Sequence, residues 1–136
     1  MNVTRRTRPG ADGVVHLASG DVVEETAELV TPEARTMVAV VLPIAAGLEP
    51  LNPNLATAPA EATPSAGPTL APTYTAFGDD SVLYVYESLP PGTYHFRFRA
   101  RTGTVGSFTE PPATAEMMYR QGVDAASAGS RLVIGP

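Results

Sequence analysis

Short runs of alternating apolar and polar residues recur along the chain, and the clearest run covers residues 94–101. One set of positions in this run is apolar, namely Tyr94, Phe96, Phe98 and Ala100, and the intervening set is His95, Arg97, Arg99 and Arg101. Successive side chains of a β-strand point to opposite faces, so this run predicts a strand with one buried and one solvated face. Residues 36–42 are apolar on both faces, which indicates a central strand or one covered by something beyond its own sheet.

Glycine and proline separate these runs, with 12 glycines and 14 prolines in 136 residues. The predicted strands are 2–8, 14–17, 22–30, 35–42, 81–87, 93–101, 107–109 continuing to 120, and 130–134. This pattern predicts an all-β fold, an antiparallel two-sheet β-sandwich of about seven strands of the fibronectin or immunoglobulin type. Pro111 and Pro112 predict that the strand that follows them lies at a sheet edge.

Residues 50–72 contain six prolines and no periodicity, which is typical of a long loop or a mobile excursion. The strands on either side of it are too few to form separate domains. We therefore expect residues 1–136 to form a single domain with a proline-rich loop at about 50–72.

Charge and cysteine content exclude several classes of function. Nine basic residues, all arginine, stand against 14 acidic residues, and a net charge of -5 disfavours binding to nucleic acid. The chain has no cysteine, which excludes disulfides, a thiolate nucleophile and cysteine-ligated zinc. No apolar run is long enough to span a bilayer, and residues 1–10 do not resemble a secretory signal.

Residues with catalytic or metal-binding potential are scarce. His16 and His95 are not at metal-ligand spacing from each other or from a carboxylate pair. The sequence has no nucleophile elbow, no P-loop and no dinucleotide fingerprint. We therefore expect a protein that is not an enzyme, with no catalytic residue, no metal and no cofactor.

Two surfaces are candidates for an interaction. Arg97, Arg99 and Arg101 stand about 7 Å apart on one face of their strand and could bind an acidic partner. The alternative, which we favour, is that they pair across strands with segment 22–30, which carries three glutamates. Exposed pairs of this kind contribute roughly 0.2–1 kcal/mol each.

The second candidate surface comprises Phe108, Glu116, Met118 and Tyr119. Packing of the last strands and docking of a partner explain this cluster almost equally well, because methionine adapts its shape and tyrosine combines contact area with a polar tip. Strand alternation assigns Met117 and Tyr119 to one face and Met118 to the other. Met118 is therefore the better candidate for an outward contact.

Three stretches carry a pattern that is specific in combination: VVLPIAAGLEPLNP at 40–53, LPPGTYHFRFRAR at 89–101, and PPATAEMMY at 111–119. They resemble the C-terminal macroglobulin-type domain of bacterial alpha-2-macroglobulins, in which PAGLEPLNP, LPPGTH.F.Y.ARA and PPA.AEEMY recur in that order. The sequence departs from this pattern at Ile44 and Ala45, which interrupt LPAG.

The resemblance implies a non-catalytic β-sandwich domain of a broad-spectrum protease trap. In that family a target protease cuts a bait segment, and in many members a Cys/Gln thioester in a separate domain captures the protease. The implied partners are the other domains of the parent chain, especially the thioester domain, and target proteases through the parent. The implied location is the periplasm, with an inner-membrane lipoprotein as one form of the parent.

A different class of function stays open from the residues alone. A free-standing fibronectin-like adhesion or carbohydrate-binding module is supported by the aromatic residues and arginines that the pattern places near the surface. A small hydrolase has the least support, because no reactive group is grouped with another in the sequence.

Overall fold

The alternating segments form strands in a computed structural model that describes residues 1–6, 14–53, 62–64, 67–78, 80–119, 124–127 and 129–136. The strands are β1 Asn2–Arg6, β2 Val14–Ala18, β3 Val22–Thr31, β4 Arg35–Pro43, β5 Leu48–Leu51, β6 Tyr74–Phe77, β7 Ser81–Leu89, β8 Gly92–Thr102, β9 Gly106–Glu110, β10 Thr114–Met117, β11 Asp124–Ala126 and β12 Ser130–Gly135. The described residues contain no α-helix and no helix able to span a membrane.

The strands form three sheets. The first has the order β1-β3-β8-β5, the second β11-β10-β4-β7-β6, and the third β2-β12-β9. The first two sheets face each other, since the ring of Phe96 on β8 lies 4.8 Å from that of Tyr84 and 6.1 Å from that of Tyr86, both on β7. The predicted all-β sandwich is therefore confirmed, although a third sheet and a parallel β2–β12 pair were not expected.

The core lies between the two large sheets and follows the alternation of the sequence. On β8 the apolar set is buried as predicted, with Phe96 and Phe98 almost completely inaccessible. On β4 the inward residues are Val38, Val40 and Leu42. Burial of each large apolar side chain stabilises the fold by about 1.5–3 kcal/mol, so these two central strands supply much of the stability.

One long hairpin connects the second and third sheets. Strand β9 pairs with β12, and β10 pairs with β11, in one continuous register. In the segment between these two pairings, the N–H of Ser127 donates to the carbonyl of Ala113 at 2.9 Å. Pro111 and Pro112 have no N–H to donate, so the pairing is interrupted there and the two halves join different sheets. The predicted strand 107–120 is thus two strands. Its predicted edge position is wrong, because β10 lies between β11 and β4.

The described part of the proline-rich region packs against both large sheets. Beside β8, the backbone N–H of His95 donates to Oγ1 of Thr69 at 2.9 Å. Beside β7, the hydroxyl of Tyr86 donates to the carbonyl of Leu70 at 2.7 Å. Residues 67–73 are therefore held by side chains and backbone of the sandwich, although they lack regular secondary structure up to β6.

The third sheet packs against the segment before β5 through a glycine. Gly47 is buried, and a Cβ atom there would lie 2.5 Å from Cε2 of Phe108 on β9 and 2.7 Å from Cδ1 of Ile134 on β12. Only a residue without a side chain allows this approach. The LPAG-like stretch thus brings the third sheet into the main core.

Candidate interaction surface

The arginines of β8 are engaged within the domain. The β3–β8 register places Glu24 directly opposite Arg99, and Nε of Arg99 lies 3.4 Å from Oε1 of Glu24. Arg97 lies opposite Thr26, and its Nη1 donates to the carbonyl of Gly67 at 3.4 Å. The predicted cross-strand pairing is confirmed for Arg99, and such a partly exposed pair contributes about 0–1 kcal/mol.

The three glutamates of β3 do not act as one group. Oε2 of Glu28 lies 3.8 Å from Nδ1 of His95, a contact that is ionic only when the histidine is protonated. Glu25 points to the other face of the sheet and is buried opposite Phe98. The outer face of the first sheet therefore carries polar side chains that contact each other, which leaves Arg97 and Arg99 less available to an acidic partner.

Phe108 does not lie with the other residues of its predicted cluster. Its ring is partly buried, packs against the core and lies over Gly47, on the half of the hairpin that belongs to the third sheet. Glu116 is exposed on β10, in the second sheet. The structure thus divides the predicted surface into a packing residue and an exposed group at the end of β10.

Met118 and Tyr119 form that exposed group. Strand β10 ends at Met117, whose side chain packs against the core, and the two residues that follow are 40% and 83% exposed. The backbone N–H of Met118 donates to the carbonyl of Met37 at 2.8 Å. The predicted alternation thus ends with the strand, and both Met118 and Tyr119 face outward.

Met37, which the sequence did not single out, has an unusual backbone. Its φ of 50° places a bulky residue in the left-handed region inside β4. Thr36 pairs with Ser88 and Val38 pairs with Tyr86, whereas Met37 takes no part in this register. Such a conformation costs about 1–2 kcal/mol and persists only when the surroundings impose it. In this domain the carbonyl of the same residue accepts the hydrogen bond from the N–H of Met118.

Titratable groups with clear shifts lie in the core rather than at this surface. Burial raises the pKa of Tyr86 to about 12, and the neighbouring Tyr94 adds to the shift. Burial also raises the pKa of Tyr84. Among the residues that the structure describes, no group of three or more histidines, aspartates or glutamates could hold a metal ion.

Two facing sheets of antiparallel strands and a third, smaller sheet define an immunoglobulin-like β-sandwich domain. The family model described as the bacterial alpha-2-macroglobulin MG10 domain matches residues 1–121. The chain belongs to this family, as the three sequence stretches had indicated.

Solved structures agree with this assignment. Alpha-2-macroglobulin of Salmonella reacted with methylamine is 25% identical, with a TM-score of 0.75 over 99% of this chain and 9% of that chain. Native alpha-2-macroglobulin of Escherichia coli, from domain MG7 to the C-terminus, is 24% identical, with a TM-score of 0.74 over 98% of this chain and 23% of that chain. The trypsin-activated Escherichia coli protein is 21% identical, with a TM-score of 0.77 over 99% of this chain and 10% of that chain.

The chain therefore spans about a tenth to a quarter of the length of these relatives. A cohesin of Archaeoglobus fulgidus shares the fold at 9% identity, with a TM-score of 0.53 over 100% of this chain and 93% of that chain. No curated protein matches the chain.

Proposed function

We propose that this domain docks onto the thioester domain of a bacterial alpha-2-macroglobulin and helps to hold the uncleaved state of that protease trap. The observation that carries the proposal is the pair Met118 and Tyr119, two large side chains that are 40% and 83% exposed at the end of β10. The parent would trap proteases, and the domain itself would take no part in covalent chemistry. The relatives described as activated by trypsin and elastase support this context.

The chemistry of the pair suits a docking contact. Tyrosine offers a rigid apolar ring with a hydroxyl, and methionine adapts to an irregular surface. The Met37–Met118 hydrogen bond holds the backbone at the start of the pair, so little conformational freedom of the backbone is lost there on binding. Glu116, exposed one strand position before Met117, places a charge beside this apolar contact.

We infer the remaining partners and the location from the family. The chain has no cysteine, so a thioester would lie elsewhere in the parent. Other domains of the parent would be the direct partners, target proteases would be reached through the parent, and the periplasm would be the compartment, with the parent as a lipoprotein of the inner membrane.

The other residues of the predicted surface fit this role less well. Arg97 and Arg99 contact Gly67 and Glu24, and Phe108 packs over Gly47. The same contacts weaken the alternative of an adhesion or carbohydrate-binding module, because the aromatic residues of β8 are buried.

The test is binding of the purified chain to the rest of its parent, measured by calorimetry. Removal of one aromatic anchor from an interface typically costs 2 kcal/mol or more, so we expect Tyr119→Ser to weaken binding roughly thirtyfold. Val105→Ser is the matched control, because Val105 is also a large exposed side chain, 54% accessible, but lies in the turn between β8 and β9. Equal affinity of Tyr119→Ser and the wild type, or no binding of the wild type at high concentration, would contradict the proposal.

A further inference from the structure

The second sheet has an outer face on the side away from the core. Because Val38, Val40 and Leu42 of β4 point inward, the alternate positions of the sheet point outward. The strand registers arrange the outward residues in two rows across the five strands. One row is Asp124, Glu116, Ala39, Val85 and Tyr74, and the other is Ala126, Thr114, Val41, Leu83 and Ala76.

Both rows are apolar across three adjacent strands, β4, β7 and β6. Val41, Leu83 and Val85 are only partly buried, and Tyr74 at the edge is 58% exposed. An antiparallel sheet with one face in water normally carries polar side chains on that face. The apolar character of residues 36–42 on both faces, evident in the sequence, therefore corresponds to an outer face suited to burial.

The first sheet provides the comparison within the same molecule. Its outer face carries Glu24, Thr26 and Glu28 on β3 opposite Arg99, Arg97 and His95 on β8. That face is polar and makes its own ion pair. The apolar outer face of the second sheet is thus a property of that sheet and not of the fold in general.

Acidic residues border the apolar rows on one side. Glu116 on β10 lies directly opposite Asp124 on β11, and both are exposed. Like charges directly opposite each other destabilise a sheet, and a cation between them would relieve the repulsion. Neither row contains a basic residue, so this cation would have to come from outside the face.

We propose that the outer face of β4, β7 and β6 is a second docking surface, whose occupant is a protein domain with an apolar patch bordered by arginine or lysine beside Glu116 and Asp124. The charge pattern selects this occupant. A second copy of the chain would present the same two rows, which hold no basic residue for these acids. Glu116 adjoins Met118, so the two surfaces are neighbours, whereas Tyr74 lies on β6, at the far edge of the sheet. The proposal goes beyond the proposed function because cover over β4, β7 and β6 does not depend on binding at Tyr119.

The test is hydroxyl-radical footprinting of the protein expressed from its complete open reading frame. Peptides that contain Tyr74 report on the outer face, peptides that contain Tyr119 report on the end of β10, and buried Tyr86 is the internal reference. We expect Tyr74 to be no more reactive than the buried Tyr86, since an occupant would cover Tyr74. Reactivity of Tyr74 equal to that of an exposed tyrosine would overturn the proposal, whatever the result for Tyr119.

A charge-neutral variant tests the stated chemistry of the occupant. Glu116→Gln with Asp124→Asn should restore the reactivity of Tyr74, while Tyr86 stays protected because the fold is kept. Glu49→Gln with Asp80→Asn neutralises two acids outside both rows and should leave Tyr74 protected.

Two other outcomes would also overturn the proposal. Protection of Tyr74 that survives the Glu116→Gln, Asp124→Asn change would exclude a basic border on the occupant. Protection that is lost on dilution of the protein would show that a second copy covers the face.

Discussion

Removal of one hydroxyl group tests whether the proline-rich segment is held by the core. In Tyr86→Phe the ring contacts of the buried residue remain, with ring centroids 6.1 Å from Phe96 and 6.3 Å from Tyr94. Only the hydrogen bond from the hydroxyl to the carbonyl of Leu70 is lost. We expect the domain to be destabilised and residues 67–73 to become more accessible.

The size of the effect follows from the surroundings of the acceptor. A net hydrogen bond contributes about 0.5–1.5 kcal/mol, and an acceptor left unpaired in the core costs about 1–3 kcal/mol. Leu70 lies at the surface, with 37% of the residue exposed, and the hydrogen bond is only partly buried. We therefore expect water to replace the hydroxyl at this carbonyl, and the lower range applies. We expect a loss of about 1 kcal/mol and a melting temperature lower by about 3–5 °C for a domain of this size.

Urea unfolding measures the stability, and hydrogen exchange of residues 67–73 measures the local effect. Tyr84→Phe is the matched control, because Tyr84 is also buried on β7 but its hydroxyl donates to no residue among those described. If the two variants had equal stability and equal exchange in this segment, the hydrogen bond would not be what holds the segment.

Two further predictions concern packing and alkaline pH. Gly47→Ala should destabilise the domain by about 1–3 kcal/mol in urea unfolding, since its Cβ would overlap the ring of Phe108; Gly103→Ala, whose Cβ meets its nearest atom at 3.8 Å, should change stability by less than about 0.5 kcal/mol. The folded-state pKa of Tyr86 is raised from 10.0 to about 12. The protonated hydroxyl therefore contributes about 3 kcal/mol to the free energy of unfolding below pH 10, and this contribution is lost between pH 10 and pH 12. Urea unfolding across this range should show the loss, and a flat stability profile would contradict it.

Strand alternation in the sequence was sufficient to predict the two central strands and their inner faces. On β8 every second residue from Tyr94 is buried, as the pattern required, and a register shift of one residue would have exposed the whole set. The three glutamates of segment 22–30 were correctly placed opposite this strand. Alternation also predicts that Glu25 points away from Glu24, so the burial of Glu25 could have been predicted in the same way.

Short strands and long-range pairings were not predictable in this way. Strands β5, β6 and β11 have four residues or fewer, which is too short for a periodic pattern, and β5 contains Pro50. The parallel pairing of β2 with β12 joins distant parts of the chain and produces no local sequence pattern. A proline pair signals an interruption, but the sequence alone does not show that the register continues beyond it.

At the candidate site, the sequence predicted which residue types would be exposed, but it did not predict the backbone conformation. The exposed, adaptable character of Met118 followed from its place in the sequence, whereas the outward position of Tyr119 depends on where β10 ends. The positive φ of Met37 has no sequence signature, since glycine or asparagine would be the usual residue in that conformation.

Strand β4 connects the two proposed docking surfaces. The carbonyl of Met37 on β4 accepts the hydrogen bond from Met118, and Ala39 and Val41 of the same strand lie in the apolar rows of the outer face. A substitution in β4 would therefore disturb the core and both surfaces together. Tyr119 lies beyond the end of β10 and Tyr74 lies on the edge strand β6, so changes at these two residues separate the surfaces with the least effect on the fold.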